Sequence, residues 1–176
     1  MNKALYIGRF QPFHLGHLDA IKQALAQNDF LYIAIGSAEV NFRPTNPFTT
    51  GERFQMIETA LEEAKIPHSK YNIVAIPNIN NYALWPFHVI QNLPPFQKIY
   101  TGSEVVRELF ESTNALLKKP YQVVTVKKQL KITSTQVRSR MLKAKKWDQL
   151  VPKSVAKLLT SWDAPKRLKN IQESEK

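Results

Sequence analysis

The stretch YIGRFQPFHLGH, residues 6–17, decides how this chain folds and where its chemistry lies. A short apolar strand, KALYIG (3–8), stops at Gly8. A turn with two phenylalanines follows, and HLDAIKQALAQ (17–27) then sets Leu18, Ile21, Ala24 and Leu25 at helical spacing. A strand that turns directly into a helix is the first half of a βαβ unit. If that strand is central, residues 9–17 stand above the carboxyl edge of a parallel sheet, where such sheets bind ligands. His14 and His17 are three apart at the predicted helix start, so both can face one side. Unpaired N–H groups and the positive dipole end at that place suit phosphate. Gly16 keeps the wall low between the two rings. A packed pair of structural histidines stays open as the alternative. A zinc pair would need further ligands, and the chain has only His68 and His88 besides, with no cysteine. The turn contains no G-x-G-x-x-G, so a dinucleotide oxidoreductase fingerprint is absent.

Outward from this stretch, apolar runs and helical stretches alternate. FLYIAIG (30–36) is a continuous apolar run, as in a strand buried on both faces. YNIVAIP (71–77), QKIYTG (97–102) and YQVVTV (121–126) are the remaining strands. Helices are expected at about 50–65, within 80–93 with Pro86 near the start, and at 103–112, 134–146 and 152–162. Thr49 or Thr50 can cap the second of the chain's helices, with Glu52 or Arg53 in its first turn. This order predicts an α/β fold with a doubly wound, mostly parallel, Rossmann-like sheet and C-terminal helices. Gly8, Gly36 and Gly102 each end a predicted strand, and Gly16 and Gly51 lie near helix starts. Any one of them could simply end a strand, but three on one edge permit close backbone approach to a ligand. No repeat or linker divides the chain, so residues 1–165 read as one domain. Residues 166–176 read as a polar, frayed tail.

Composition narrows the partners. The 176 residues carry a formal charge of +11 and no cysteine, so disulfides and thiolate sites are excluded. The basic excess falls late, at Lys118–Lys119, Lys127–Lys128, Lys131, Lys143, Lys145–Lys146 and Lys166–Arg167. Such a field favours an anionic partner: nucleic acid, acidic membrane or a phosphorylated small molecule. The aromatics fall mostly inside apolar runs, which argues against an RNA-stacking surface. No apolar run approaches the roughly 20 residues of a membrane span, and no signal peptide is visible. The expectation is a cytoplasmic protein without nucleic-acid or membrane partners.

GRFQPFHLGH (8–17) closely resembles the signature of the H-x-G-H nucleotidylyltransferase superfamily. Three further stretches follow in order: IGSAEVNFRPTNPFTTGER (35–53), NINNYALWPFHV (78–89) and ITSTQVRSRM (132–141). Together they resemble the archaeal-type nicotinamide mononucleotide adenylyltransferases over nearly the whole chain. The resemblance implies the Rossmann-like nucleotidylyltransferase fold and a reaction between ATP and nicotinamide mononucleotide (NMN), giving NAD and pyrophosphate. Attack would be in line, without a covalent intermediate. ATP would bring Mg2+ on its own phosphates, with no protein metal cage.

The resemblance also implies site residues. His14, His17 and Arg138 would be catalytic. Gly8, Arg9, Phe10, Gln11, Gly102, Ser103, Ile132, Ser134 and Thr135 would join them around ATP. On the acceptor side, Trp85 would stack on the nicotinamide, Asn81 would meet its carboxamide, and Gly36 and Ser37 would line the ribose and phosphate. Arg43 stands in the long loop, offset from the family's commonest spacing. Without the resemblance, STQVR (134–138) would read as an ordinary capped basic helix, and Trp85 as core. The alternative enzyme is a relative that transfers AMP or CMP to another phosphorylated acceptor. NNYALW (80–85) favours a nicotinamide over those. Nicotinic acid mononucleotide is a further acceptor, and relatives imply a homo-oligomer, a hexamer. The second, hydrolase domain of some relatives is not expected within these residues.

Overall fold

Two apolar runs become two of the three strands of one sheet that have a neighbour on each side. Lys3–Gly8 (β1) and Phe30–Gly36 (β2) are buried along their centres, and they pair in parallel from Lys3↔Phe30 to Gly8↔Ile35. The computed structural model describes residues 1–127 and 130–174. Lys128 of the basic series, and Glu175 and Lys176 of the expected tail, lie outside the described residues.

The described contacts form two compact units that interleave along the sequence. The first comprises Met1–Gly8, Ala20–Ser37 and His68–Lys128; the second comprises Arg9–Asp19, Ala38–Pro67 and Gln129–Lys176. Helix α1 (Leu15–Leu25) contributes its first turn to the second unit and the remainder to the first. No single linker separates the units, because each is built from three segments.

The first unit holds the sheet, with Tyr71–Ile76 (β3), Lys98–Thr101 (β4) and Gln122–Thr125 (β5) in the order β3-β2-β1-β4-β5. Every pairing is parallel, as the alternation of strands and helices requires. Strand order reverses between β1 and β4, so the topological switch point lies beside the end of β1. Helices Trp85–Gln91 (α3) and Glu104–Asn114 (α4) cover one face. Val89 and Phe110 pack there on Leu5, Ile7, Tyr32, Ala34 and Ile99. Each such side chain taken fully out of water contributes about 1.5–3 kcal/mol.

The second unit is helical. Thr50–Glu63 (α2) packs on Lys153–Ser161 (α6), and Ser134–Leu142 (α5) packs on Ala164–Ser174 (α7). Thr49 caps α2 in a reciprocal capping box with Glu52, as its hydroxyl spacing allowed. At the far end of α2, both oxygens of Glu63 accept the Lys153 and Ser154 N–H groups that open α6.

Two expectations are corrected. Helix α5 ends at Leu142 rather than Lys146. Ala144 adopts a left-handed conformation (φ 50°), and the Ala144 and Lys145 N–H groups return to Met141 and Arg140. That is a Schellman turn without its usual glycine. The expected frayed tail is helix α7. Ala164, Leu168 and Ile171 form a buried stripe along it, and the Pro165 ring is tolerated in its first turn.

Candidate functional site

The second unit gathers most of the expected phosphate residues. His14 and His17 open α1 with their rings stacked, centroids 3.6 Å apart and planes 21° from parallel. The His14 N–H donates to His17 Nδ1 at 3.2 Å, and the His17 N–H donates to His14 Nδ1 at 3.3 Å. A nitrogen that accepts cannot carry the proton, so each neutral ring holds its hydrogen on Nε2. Phe10 and Phe13 wall the pair, with ring centroids 4.9 and 5.4 Å from His17. Burial lowers the His14 pKa from 6.5 to about 4. Burial, and then His14's charge, push His17 well below its ordinary value. At neutral pH the pair is uncharged: two Nε2–H donors rather than two cations.

This depressed pKa has a sign. Unfolded, His14 takes a proton near pH 6.5; folded, only near pH 4. The unfolded chain therefore binds more protons between these values, and stability falls as pH drops through that window. The shift corresponds to about 3 kcal/mol at its acid end. Chemical denaturation at stepped pH should give that slope for the ligand-free protein, and a markedly flatter one for His14→Gln.

Gly16 is needed for room. It has no positive φ, but a Cβ placed on it would lie 3.0 Å from His14 Cε1 and Nδ1, and 3.4 Å from the Ile132 carbonyl. Alanine there requires the His14 ring to shift by a few tenths of an ångström against His17. Its better helix propensity offsets about 0.5–1 kcal/mol of any lost stability. Gly16→Ala should therefore lower kcat/KM for ATP about 10- to 100-fold with little change in Tm, read by steady-state kinetics beside a melting curve.

Arg138, on α5, meets the turn that precedes the histidines. Its Nη1 donates to the Gln11 carbonyl at 2.6 Å and its Nη2 to Thr135 Oγ1 at 3.4 Å. Burial, and then the charge of Arg9, hold its pKa below the ordinary value. Among the described residues its partners are neutral oxygens and its charged neighbour is another guanidinium, a setting that an anion would relieve. Ser134 Oγ donates to the Pro12 carbonyl at 3.0 Å, and Thr133 rather than Ser134 or Thr135 caps α5. Ile132 comes beside this turn through its carbonyl, near Gly16.

Some expected contacts are already committed within the protein. The Gln11 side chain is buried and bonds both backbone groups of Phe48, donating at 2.8 Å and accepting at 2.9 Å. It fastens the loop instead of presenting its amide. Phe10 is 1% exposed, with φ 52°, so its ring is core and its backbone sits in a region bulky residues avoid. Arg9 is exposed, and so is Arg43, whose backbone forms a short antiparallel bridge with Asn46.

The sequence reading missed Arg53, which is fully buried. Its guanidinium donates to the carbonyls of Arg9 at 3.2 Å, Ala38 at 3.1 Å and Thr49 at 3.3 Å, and to Thr50 Oγ1 at 3.0 Å. Burial lowers its pKa to about 10 while the Glu39 charge works the other way, so it stays charged at neutral pH. The signal was available: Arg53 takes the first position of the buried stripe Met56, Ile57, Ala60 and Leu61. A cation in an apolar stripe is there for its hydrogen bonds.

The first unit carries the rest. Gly8 and Gly36 end β1 and β2, and Gly102 directly follows β4, all on the carboxyl edge of the sheet. Ser103 caps α4, its N–H held by the buried Thr101 hydroxyl at 3.0 Å. Ser37 has φ 48°. Asn81 is exposed and accepts the Leu84 N–H at 3.2 Å, ahead of α3. Trp85 is half-buried, edge-on to Phe110 with centroids 5.8 Å apart. Among the described residues, no group of three or more His, Cys, Asp or Glu is placed to hold a metal ion. Nor is any helix there long and apolar enough to cross a membrane.

The family profile described as cytidylyltransferase-like matches residues 5–140. The chain belongs to that family. As a cytidylyltransferase-like protein it is 36% identical to a Thermococcus kodakarensis protein named nicotinamide-nucleotide adenylyltransferase, over 100% of this chain and 94% of the other. It is 38% identical to one of the same name from Methanolobus tindarius, over 100% and 98%. The archaeal relationship expected from the four motifs is thus borne out. Its fold matches that of a bifunctional NMN adenylyltransferase/ADP ribose pyrophosphatase from Francisella tularensis with a TM-score of 0.82 at 21% identity. That match covers 97% of this chain and 52% of the other, so the chain spans about half of that protein's length. A second structure of such a protein from that organism, TM-score 0.75, was obtained with AMP and a manganese ion.

Proposed function

We propose that this chain transfers the adenylyl group of ATP to NMN, giving NAD and pyrophosphate. The observation that carries the reading is the stacked imidazole pair, whose Nδ1 atoms are both bound to backbone N–H groups. Names shared by full-length relatives support the acceptor.

The chemistry asks little covalent work of the protein. A phosphate monoester has a second pKa of about 6, so the acceptor is already anionic at neutral pH. No general base is needed, and the turn at residues 9–17 offers no carboxylate. Catalysis then consists of alignment and of stabilising charge on the α-phosphoryl oxygens. The Nε2–H groups of His14 and His17 donate to those oxygens as negative charge builds. Arg138 exchanges its neutral oxygen partners for phosphate oxygens, which its planar guanidinium can hold two at a time. Thr135 adds a hydroxyl donor from the same turn, and Ser134 adds one on exchanging the Pro12 carbonyl for phosphate. Arg9, with its backbone pinned by Arg53, supplies a further cation. An incoming polyphosphate also works against the depression of both imidazole pKa values. Magnesium enters with ATP, bound through phosphate and water.

Trp85 and Asn81 are assigned to the nicotinamide and its carboxamide, and Gly36, Ser37 and Arg43 to the acceptor's ribose and phosphate. Gly8, Gly102 and Ser103 are assigned to ATP. A cytoplasmic place and a homohexamer complete the reading; light scattering after size exclusion tests the latter.

The test is an endpoint assay with ATP and Mg2+ against NMN, nicotinic acid mononucleotide, phosphopantetheine and flavin mononucleotide, with products separated by chromatography. NAD from NMN is the expected product. Transfer only to phosphopantetheine or flavin mononucleotide would replace the proposed acceptor. ATP turnover in none of the four would remove the reading.

A further inference from the structure

Helix α7 has no part in the chemistry above, yet its Arg167 joins three elements of the second unit. Arg167 Nη1 pairs with both carboxylate oxygens of Glu52, at 2.7 and 2.8 Å, and both side chains are largely shielded from solvent. Glu52 at the same time closes the capping box by accepting the Thr49 N–H at 2.9 Å. The Arg167 guanidinium carbon stands 5.6 Å from the ring centroids of both Phe42 and Phe48. These two aromatics differ in their other attachments. Phe48 is buried and bound to Gln11 through its backbone. Phe42 is 53% exposed, with φ 49°, a conformation a bulky residue keeps only when its surroundings impose it.

Phe42 immediately precedes Arg43. The backbone of Arg43 is bridged to Asn46, so the turn from 43 to 46 moves as a piece. On its far side the turn runs within two residues of Phe48, which Gln11 holds; on its near side the Phe42 ring rests on Arg167. We infer that Arg167 is a positioning residue: through Phe42 it fixes the loop that carries Arg43, and through Glu52 it fixes the start of α2 behind that loop. The inference rests on the reading of Arg43 as a contact for the acceptor's phosphate. A guanidinium is suited to the task because one planar group can face aromatic rings while its edge holds a carboxylate. Lysine has no such face.

The test uses the full chain with Arg167→Ala, Arg167→Lys, Phe42→Ala and the double alanine variant. Losing a cation–π contact corresponds to about three- to thirtyfold. Arg167→Ala and Phe42→Ala should each raise KM for NMN by about tenfold, with kcat and the KM for ATP within about threefold. The double variant should be no worse than Arg167→Ala alone, because both remove one contact. Arg167→Lys keeps the Glu52 charge pair and loses the planar face, so it should track Phe42→Ala. A readout independent of turnover is chymotrypsin cleavage after Phe42, expected to be about tenfold faster in Arg167→Ala as the loop opens. Equal rises in both KM values, additive effects in the double variant, or unchanged cleavage would each overturn the inference. If the wild type does not join ATP to NMN, the functional reading fails and the cleavage rates still decide the positioning role. Should Arg167→Ala not fold, Arg167→Lys and Phe42→Ala give the decision.

Discussion

His17→Ala should lower kcat for NAD formation by about 10²- to 10³-fold, the loss expected when one donor to transition-state charge is removed. Its KM values should change far less. The backbone N–H of residue 17 still reaches His14 Nδ1, so the first ring keeps its anchor, although the stacked partner is gone. The tautomer makes a sharper prediction. With Nδ1 accepting a backbone N–H, the working hydrogen is on Nε2. Glutamine places an amide nitrogen near the position of Nε2, whereas asparagine places one near Nδ1. His17→Gln should therefore retain more activity than His17→Asn. Measured kcat at saturating substrates, beside melting curves for all three variants, checks this. Wild-type turnover in His17→Ala, or asparagine outperforming glutamine, would show that this nitrogen does not face the reacting phosphate.

Arg138→Lys should be nearly as damaging as Arg138→Ala, with kcat down by about 10²-fold in each. The guanidinium reaches the Gln11 carbonyl with one nitrogen and the Thr135 hydroxyl with the other. A lysine ammonium is a point charge, unable to span two phosphate oxygens in that geometry. The charge is preserved in Arg138→Lys, so a loss there separates shape from charge. Full activity in the lysine variant would mean that the site needs only a cation at this place.

The sheet was legible in the sequence because the strands differ sharply from what surrounds them. FLYIAIG and ALYIG are apolar without interruption, and glycine marks both ends on the carboxyl side. The histidine pair was legible for the same local reason, two imidazoles one helical turn apart with a glycine between. Helix ends were harder to read. Lys65, Ala144 and Asp163 take the left-handed turn positions after α2, α5 and α6, where glycine is the usual signal. A chain with only five glycines must use other residues there, and nothing in their identity announces it. Helix α7 is not legible because seven polar residues hide the Leu168 and Ile171 stripe. The Pro165 at its start was the overlooked cue. The resemblance implies a Gln11 that faces the nucleotide, yet its amide pairs with Phe48, 37 positions away. Such partnerships depend on tertiary proximity, and local pattern carries no trace of them. Arg53 is the same lesson inverted: its place in the apolar stripe of α2 was visible, but its four oxygen partners were not.

The most direct measurement of the central claim is a crystal structure of the protein with Mg2+ and α,β-methylene-ATP. The account predicts phosphate oxygens within hydrogen-bond reach of Nε2 on both His14 and His17, with the Arg138 guanidinium turned from Gln11 onto the same triphosphate. Analogue bound elsewhere, with no phosphate oxygen near either imidazole and Arg138 unmoved, would contradict it.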